Sequence, residues 1–203
     1  MHALIVVSHP DPGSLSHAVA ARLADGVARA GHGAEIADLM AEDFDPRFNA
    51  DDLRVHRERM APPADVLAEQ ARIDRSDRLV LVYPIYWWSV PGLLKGWIDR
   101  VFVQGWAYDE GPDIGLVKKL RHLRVHLVGI GGADERTYAR HGYFGAMKTQ
   151  IDHGIFDYCG ARVVRHELLL GTGPEEVAAH FEGARRLGLT LFDDADACAA
   201  RAA

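Results

Sequence analysis

The sequence has only two cysteines, Cys159 and Cys198, far apart and in no CxxC or metal-like spacing. It therefore carries no disulfide framework and suits a reducing compartment. It lacks any block of five or more basic residues, and its net charge is -6. Phosphate-rich partners need clustered Lys and Arg, so no nucleic-acid partner is expected. Neither GxGxxG after the first strand-like run nor GxxxxGK followed by Ser or Thr is present, which removes the two familiar nucleotide loops. The eleven histidines include no HExxH, and no metal is expected. The N-terminus has no basic region and no small-residue cleavage site, so no signal peptide is expected. The uncharged stretch Leu79 to Leu94 is shorter than the ~20 residues of a spanning helix, and Pro84 and Pro91 interrupt it. These absences together predict a cytoplasmic chain with no membrane insertion.

What is present reads as one domain: 203 residues, 48% apolar and 26% charged, ordinary values for a globular fold. Five short apolar runs, Ala3 to Val7, Ala34 to Leu39, Arg78 to Tyr83, Leu123 to Ile130 and Arg162 to Leu170, have the pattern of strands covered on both faces. Between them lie helical patterns. Ser14 precedes Leu15, Val19, Leu23 and Val27 at spacings of four; Ala64 to Arg75 follows; Pro91 sits as the first residue of a helix carrying Leu94, Ile98 and Val101; Phe144 to Tyr158 and Pro174 to Phe192 complete the set. The fold class predicted is α/β, a five-stranded parallel sheet with helices on both faces. Residues 1–193 are expected to form a single domain and 194–203 a frayed C-terminal tail. The polar segment Ala41 to Pro63 has no clear periodicity and reads as an ordered surface excursion.

Such a sheet binds ligands at the carboxyl ends of its strands. The loop after the first strand runs Ser8-His9-Pro10-Asp11-Pro12-Gly13-Ser14-Leu15-Ser16. Ser14 and Ser16 stand at a helix N-terminus, which favours an anion, and His9 could add a donor. The loop alone leaves two readings open: a phosphate site, or a plain N-cap beside a surface histidine. After the third strand, Tyr83-Pro84-Ile85-Tyr86-Trp87-Trp88 begins a span holding all four tryptophans. For Tyr86, Trp87 and Trp88, in a turn, contact with a planar ligand is expected; Trp97 and Phe102, on the next helix, are expected in the core. After the fourth strand, Gly129-Ile130-Gly131-Gly132 allows close backbone approach or merely a tight turn.

The string from Tyr83 through Ser89-Val90-Pro91-Gly92-Leu93-Leu94-Lys95-Gly96-Trp97-Ile98-Asp99-Arg100-Val101-Phe102, followed by Gly105-Trp106-Ala107-Tyr108, resembles the NAD(P)H:quinone oxidoreductase family of flavodoxin-like proteins. That family includes ancillary oxidoreductases of potassium-efflux systems. The resemblance runs from about residue 3 to 170, and Asp65 to Gln70 shares in it. It implies a flavodoxin-like fold and a flavin whose phosphate contacts fall on His9, Ser14, Leu15 and Ser16. Here Leu15 and Ser16 replace the family's Phe and Asn. The ring would be bordered by Pro84, Ile85, Tyr86, Trp87 and Trp88, and by Gly129, Ile130, Gly131 and Gly132, where two threonines of the family pattern are missing. Tyr138 and His141 match the Tyr and His that act on the reduced ring, Tyr138 at a shorter spacing than the family shows.

The activity implied is a flavin-dependent NAD(P)H dehydrogenase that reduces a quinone-like acceptor by ping-pong hydride transfer, as a homodimer. The length of Ala41 to Pro63 leans to FAD over FMN, although Gly105 to Tyr108 also resembles smaller FMN members. Two other readings stay open: a regulatory subunit of a potassium-efflux transporter, and a one-electron carrier of flavodoxin type.

Overall fold

The computed structural model describes residues 1–193; the expected tail at 194–203, with Cys198, lies outside the described residues. In chain order the elements are β1 (His2–Val7), α1 (Leu15–Arg29), β2 (Gly33–Asp38), α2 (Ala50–Glu58), α3 (Ala64–Asp74), β3 (Arg78–Pro84), α4 (Gly92–Val101), β4 (Tyr108–Gly111), β5 (Gly115–Lys118), β6 (Arg124–Gly131), α5 (Glu135–His141), α6 (Tyr143–Met147), a π-helix (Lys148–Asp157), β7 (Arg162–Leu170) and α7 (Pro174–Leu189). The five apolar runs form one parallel sheet in the order β2-β1-β3-β6-β7. No helix among the described residues is long and apolar enough to cross a membrane.

Every residue of β3 is buried, because its unbroken apolar run is covered on both faces. Leu4, Val6, Leu79, Leu81 and Tyr83 point to the side of α4 and the π-helix, where Trp97 and Phe102 join the core as expected. Ala3, Ile5, Val7, Val80 and Val82 point to the side of α1 and α7. Those two helices approach closely at Gly26 and Gly188, where a Cβ on either would run into the other helix's backbone.

Four features differ from the sequence expectation. Pro91 is the N-cap of α4, with Gly92 its first helical residue. The helix expected over Phe144 to Tyr158 is a short α6 followed by the π-helix. The span between β3 and β6 also holds an antiparallel hairpin, β4 with β5. Finally, the segment Ala41 to Pro63 contains α2, started by a capping box in which Asn49 and Asp52 exchange side-chain-to-backbone hydrogen bonds. Hydrophobic periodicity could not show α2, since its buried residues are Asp52 and Val55. A charge holds it instead. Arg100 of α4 is almost fully buried and donates to Asp52 Oδ2 (2.9 Å), to Asp65 Oδ2 (2.6 Å) and to the Asp45 carbonyl (2.8 Å).

Candidate active site

The order of the sheet sets β1, β3 and β6 side by side, so the three unusual loops meet at one carboxyl edge. Beyond Pro84, still buried in β3, the Ile85 N–H donates to the Ile130 carbonyl at 2.8 Å and ties the aromatic loop to the glycine loop. Tyr86 and Ser89 then exchange both backbone hydrogen bonds at 3.1 Å, closing a two-residue turn. Its central residues are Trp87 (φ 49°) and Trp88 (φ 60°). A turn with positive φ at both centres ordinarily carries Asn-Gly or Gly-Gly. Two tryptophans there store backbone strain, of order 1–3 kcal/mol per residue, of the kind that gathers at ligand sites.

The two rings have different settings. Trp88 lies in the cluster, stacked on Tyr143 (centroids 3.7 Å apart, 10° between planes) and edge-on to Tyr138 at 5.4 Å. Trp87 is 93% exposed and Tyr86 48%. Trp87→Gly should thus relieve strain without opening a cavity, raising stability by about 1 kcal/mol. If the exposed ring serves a ligand or a partner, acceptor turnover should fall as stability rises. Urea unfolding beside a turnover assay separates the two, and a variant that is destabilised contradicts the assignment of strain.

The glycine loop is shaped by packing as much as by approach. A Cβ on Gly131 would lie 2.8 Å from the Tyr138 hydroxyl and 2.9 Å from Leu170 Cδ2, and one on Gly129 would lie 3.0 Å from Ile85 Cδ1. At Gly132 a Cβ would meet nothing within 4 Å, so this position alone is open to an approaching ring. Ile85, Trp87, Trp88, Gly131, Gly132, Ala133 and Tyr138 enclose a cavity of about 140 Å³. Tyr138 sits in it because Asp134 caps α5 by accepting from the Thr137 N–H, which turns Tyr138 inward. Burial pushes the Tyr138 phenol above its ordinary pKa. His141, on the last turn of the same helix, is exposed, does not line this cavity and stacks on the outer face of Tyr143 at 5.2 Å.

The first loop is organised by hydrogen bonds that the sequence did not disclose. His9 Nδ1 sits against the Asp11 backbone, 3.0 Å from its N and 3.2 Å from its O, so Nε2 is the ring nitrogen turned away from the loop's own bonds. Ser14 caps α1 by accepting from the His17 N–H, while the helix start leaves the Leu15 and Ser16 N–H groups without intrahelical acceptors. Ser14 Oγ also lies 2.8 Å from His17 Nδ1, and His17 Nε2 lies 2.9 Å from Asp38 Oδ2. A carboxylate only accepts, so His17 donates its Nε2 proton to Asp38, and its Nδ1 shares a hydrogen bond with the Ser14 hydroxyl. Burial pushes the Asp38 carboxyl up, but the bonds from His17 and from the Ala41 N–H outweigh it and hold the pKa below the ordinary value. Backbone N–H groups and His9 Nε2 are therefore left free in this loop. Sequence reasoning missed His17, Asp38 and Tyr143. Ser14 and His17 are three apart on one helix face, but only the β1–β2 pairing brings up Asp38.

A family model described as flavodoxin-like fold matches residues 1–187. The chain belongs to this flavodoxin-like family. Among solved structures, the NAD(P)H:quinone oxidoreductase from Methanothermobacter marburgensis superposes with a TM-score of 0.86 at 28% identity, covering 94% of this chain and 98% of the other. The NAD(P)H dehydrogenase (quinone) 1 of Rattus norvegicus is 26% identical over 214 residues, 95% of this chain and 78% of the rat protein. The general stress protein 14 of Treponema denticola, solved in complex with FMN, shares 25% identity and a TM-score of 0.65, covering 95% of this chain and 98% of the other. The flavodoxin-like resemblance read over about residues 3 to 170, most specific from 83 to 108, is thus matched by the family model over residues 1–187.

Proposed function

We propose that the chain is a flavin-dependent NAD(P)H dehydrogenase that reduces quinone-like acceptors, built as a single domain over residues 1–193. The observation that carries this reading is the convergence at one sheet edge of the Trp87–Trp88 turn, the open backbone at Gly132 and the buried Tyr138. These residues fit a flat ring: Trp88 and Tyr143 form a rigid aromatic wall, and nothing within 4 Å obstructs the Gly132 side. When bound, a flavin supplies the carrier that takes hydride from NAD(P)H and gives it to the acceptor. His9 Nε2–H and the first N–H groups of α1 would hold its phosphate. The Tyr138 hydroxyl would donate toward negative charge forming at the slot, in a position fixed by Gly131. His141, outside the cavity, would act on that charge only from the rim.

Relatives named for quinone dehydrogenation and a structural neighbour holding FMN support the class of reaction and of cofactor. For the choice of flavin, the length of Ala41 to Pro63 carries no argument, since none of its residues lines the slot. A cavity of about 770 Å³ shares Gly132 and Tyr138 with the slot but continues to Gly171, Glu176 and His180 on the β7 side. That is away from the loop after β1 that would hold the phosphate, so it carries no argument for the nucleotide half of FAD. Mass spectrometry of the released cofactor decides between FAD and FMN.

The slot itself is smaller than the roughly 300–1,000 Å³ of a closed ligand site, and Trp87 stands bare above it. A second copy covering it, as a homodimer, completes the site. Sedimentation of a monomer with full activity would refute that arrangement. The expected signature of the whole reading is a yellow protein, absorbing near ~450 nm from bound flavin, that NADPH alone bleaches and a quinone restores, with ping-pong kinetics. A ternary-complex pattern without bleaching would sink it.

A further inference from the structure

Beside the slot lies a chain of polar groups centred on His166, which also borders the larger cavity that shares Gly132 and Tyr138 with the slot. Asp152 Oδ1, from the π-helix, is 2.6 Å from His166 Nδ1 on β7. The His166 side chain is fully buried, and its Nε2 faces the Tyr83 hydroxyl at 3.4 Å. At the outer end, Lys148 Nζ, half exposed, donates to Asp152 Oδ2 at 2.9 Å.

The topology explains how these groups meet. Tyr83 pairs with Gly129, which pairs with Leu168, while His166 lies two residues earlier on β7. Tyr83 and His166 therefore stand two strands apart, roughly 9–10 Å at the usual strand spacing. The residue between them in that row, Gly129, has no side chain, so the Tyr83 ring can lean across β6. The wider turn of the π-helix, a form that recurs at functional sites, presents Asp152 to the imidazole. Tyr83 is also the last side chain on this face before Pro84 and the aromatic loop.

We propose that Asp152, His166 and Tyr83 form a proton-storing chain beside the slot, in which His166 gains a proton as negative charge builds up in the slot and loses it as that charge leaves. This rests on the reading of the slot as a flavin site. Nδ1 already bears the proton held by Asp152, so the added proton binds Nε2. It is taken from hydronium of the solvent, an O–H bond breaking as the N–H bond forms, and it returns to solvent as the charge leaves, so no residue is oxidised. The groups facing His166 are Asp152 and, through it, Lys148 from the π-helix, Tyr83 from β3 and the uncharged ring of Phe144 from α6. Burial pushes the Asp152 carboxyl up, but its bonds to His166 and Lys148 outweigh this and keep it ionised. Burial, with the Asp152 charge next, pushes the Tyr83 phenol well above its ordinary value, so it stays a neutral hydroxyl. An ionised acceptor on Nδ1 and a hydroxyl on Nε2 suit an imidazole that exists both neutral and protonated.

His166 acts through Tyr83 and is a positioning residue. Its test has two readouts. In the flavin-free protein, nitrogen NMR should find neutral His166 as the Nδ1–H tautomer in wild type and in Tyr83→Phe, and as a mixture in Asp152→Asn. An Nε2–H tautomer in wild type overturns the chain. In the loaded protein, the midpoint potential of the flavin followed across neutral pH should show an added proton dependence that His166→Gln removes and Asp152→Asn weakens. Where the glutamine variant does not fold, Asp152→Asn carries the comparison. A loaded protein whose potential ignores both substitutions overturns the proton role and leaves the flavin reading standing. A protein that takes up no flavin overturns both.

Discussion

Gly131→Ala is expected to lower quinone turnover by about a hundredfold, the usual result of moving a catalytic group by an ångström. The new methyl would sit 2.8 Å from the Tyr138 hydroxyl and 2.9 Å from Leu170 Cδ2, closer than carbon tolerates, and neither neighbour is a loose surface group. Tyr138 is 3% exposed and anchored through the Asp134 cap, so it must shift within a packed wall. Overpacking of this kind costs about 1–3 kcal/mol of stability, which the domain can bear. Gly132→Ala is the matched comparison. Its methyl meets no protein atom within 4 Å, so the flavin-free protein should unfold within about 0.5 kcal/mol of wild type. Any loss of flavin affinity there reports the ligand itself. Equal turnover in Gly131→Ala and wild type would remove Tyr138 from the mechanism.

Arg100→Met should cost about 3–5 kcal/mol of stability, the usual penalty for leaving a buried charge without its partner. For a chain of this size that is a fall in Tm of roughly 6–20 °C. Arg100 is 3% exposed and Asp52 1%, and Asp52 Oδ1 already lacks a hydrogen-bond partner, so without Arg100 the buried carboxylate keeps only the Asn49 N–H of its capping box and no counter-charge. The second partner, Asp65, adds a pH signature. Burial pushes its carboxyl up, but the hydrogen bond and charge of Arg100 outweigh this and hold it below the ordinary value. A depressed carboxylate stabilises above its unfolded pKa and loses that contribution as pH falls through the folded one. Wild type should therefore lose part of its advantage over Arg100→Met in acid. Urea unfolding at neutral and acid pH measures both effects, and a loss under 1 kcal/mol at neutral pH would show that α2 is held by something else. Because α2 lies outside the slot, flavin content of the folded fraction should stay at the wild-type level.

The two predictions sit on opposite sides of what the sequence discloses. All five strands of the parallel sheet were legible, because a strand buried on both faces is a short unbroken apolar run whatever surrounds it. The hairpin of β4 and β5, in which no residue is buried, was not. The core positions of Trp97 and Phe102 followed from helical spacing, and the crowding of tryptophans after β3 marked the ligand edge. The glycines were legible as glycines but not in purpose: Gly131 and Gly129 are small for the sake of Tyr138, Leu170 and Ile85, while Gly132 is open. The helix α2 was not legible, since a charge buried from another element replaces the apolar stripe that pattern reading needs.

By itself, then, the sequence determined the class of fold, the order of the five sheet strands along the chain with most of the helices between them, and the three loops that carry the candidate chemistry. Local spacing and composition suffice for these, since each depends on residues within about one element of one another. Only the tertiary structure decided which residues share a site. The parallel pairing of β1 with β2 brings Asp38 to His17, and the three-strand row through Gly129 lets Tyr83 reach toward His166. Those pairs lie 21 and 83 residues apart in the chain. The physical reason is that a side chain's partner is set by sheet register and by the absence of an intervening side chain, and neither is written in the neighbourhood of the residue itself.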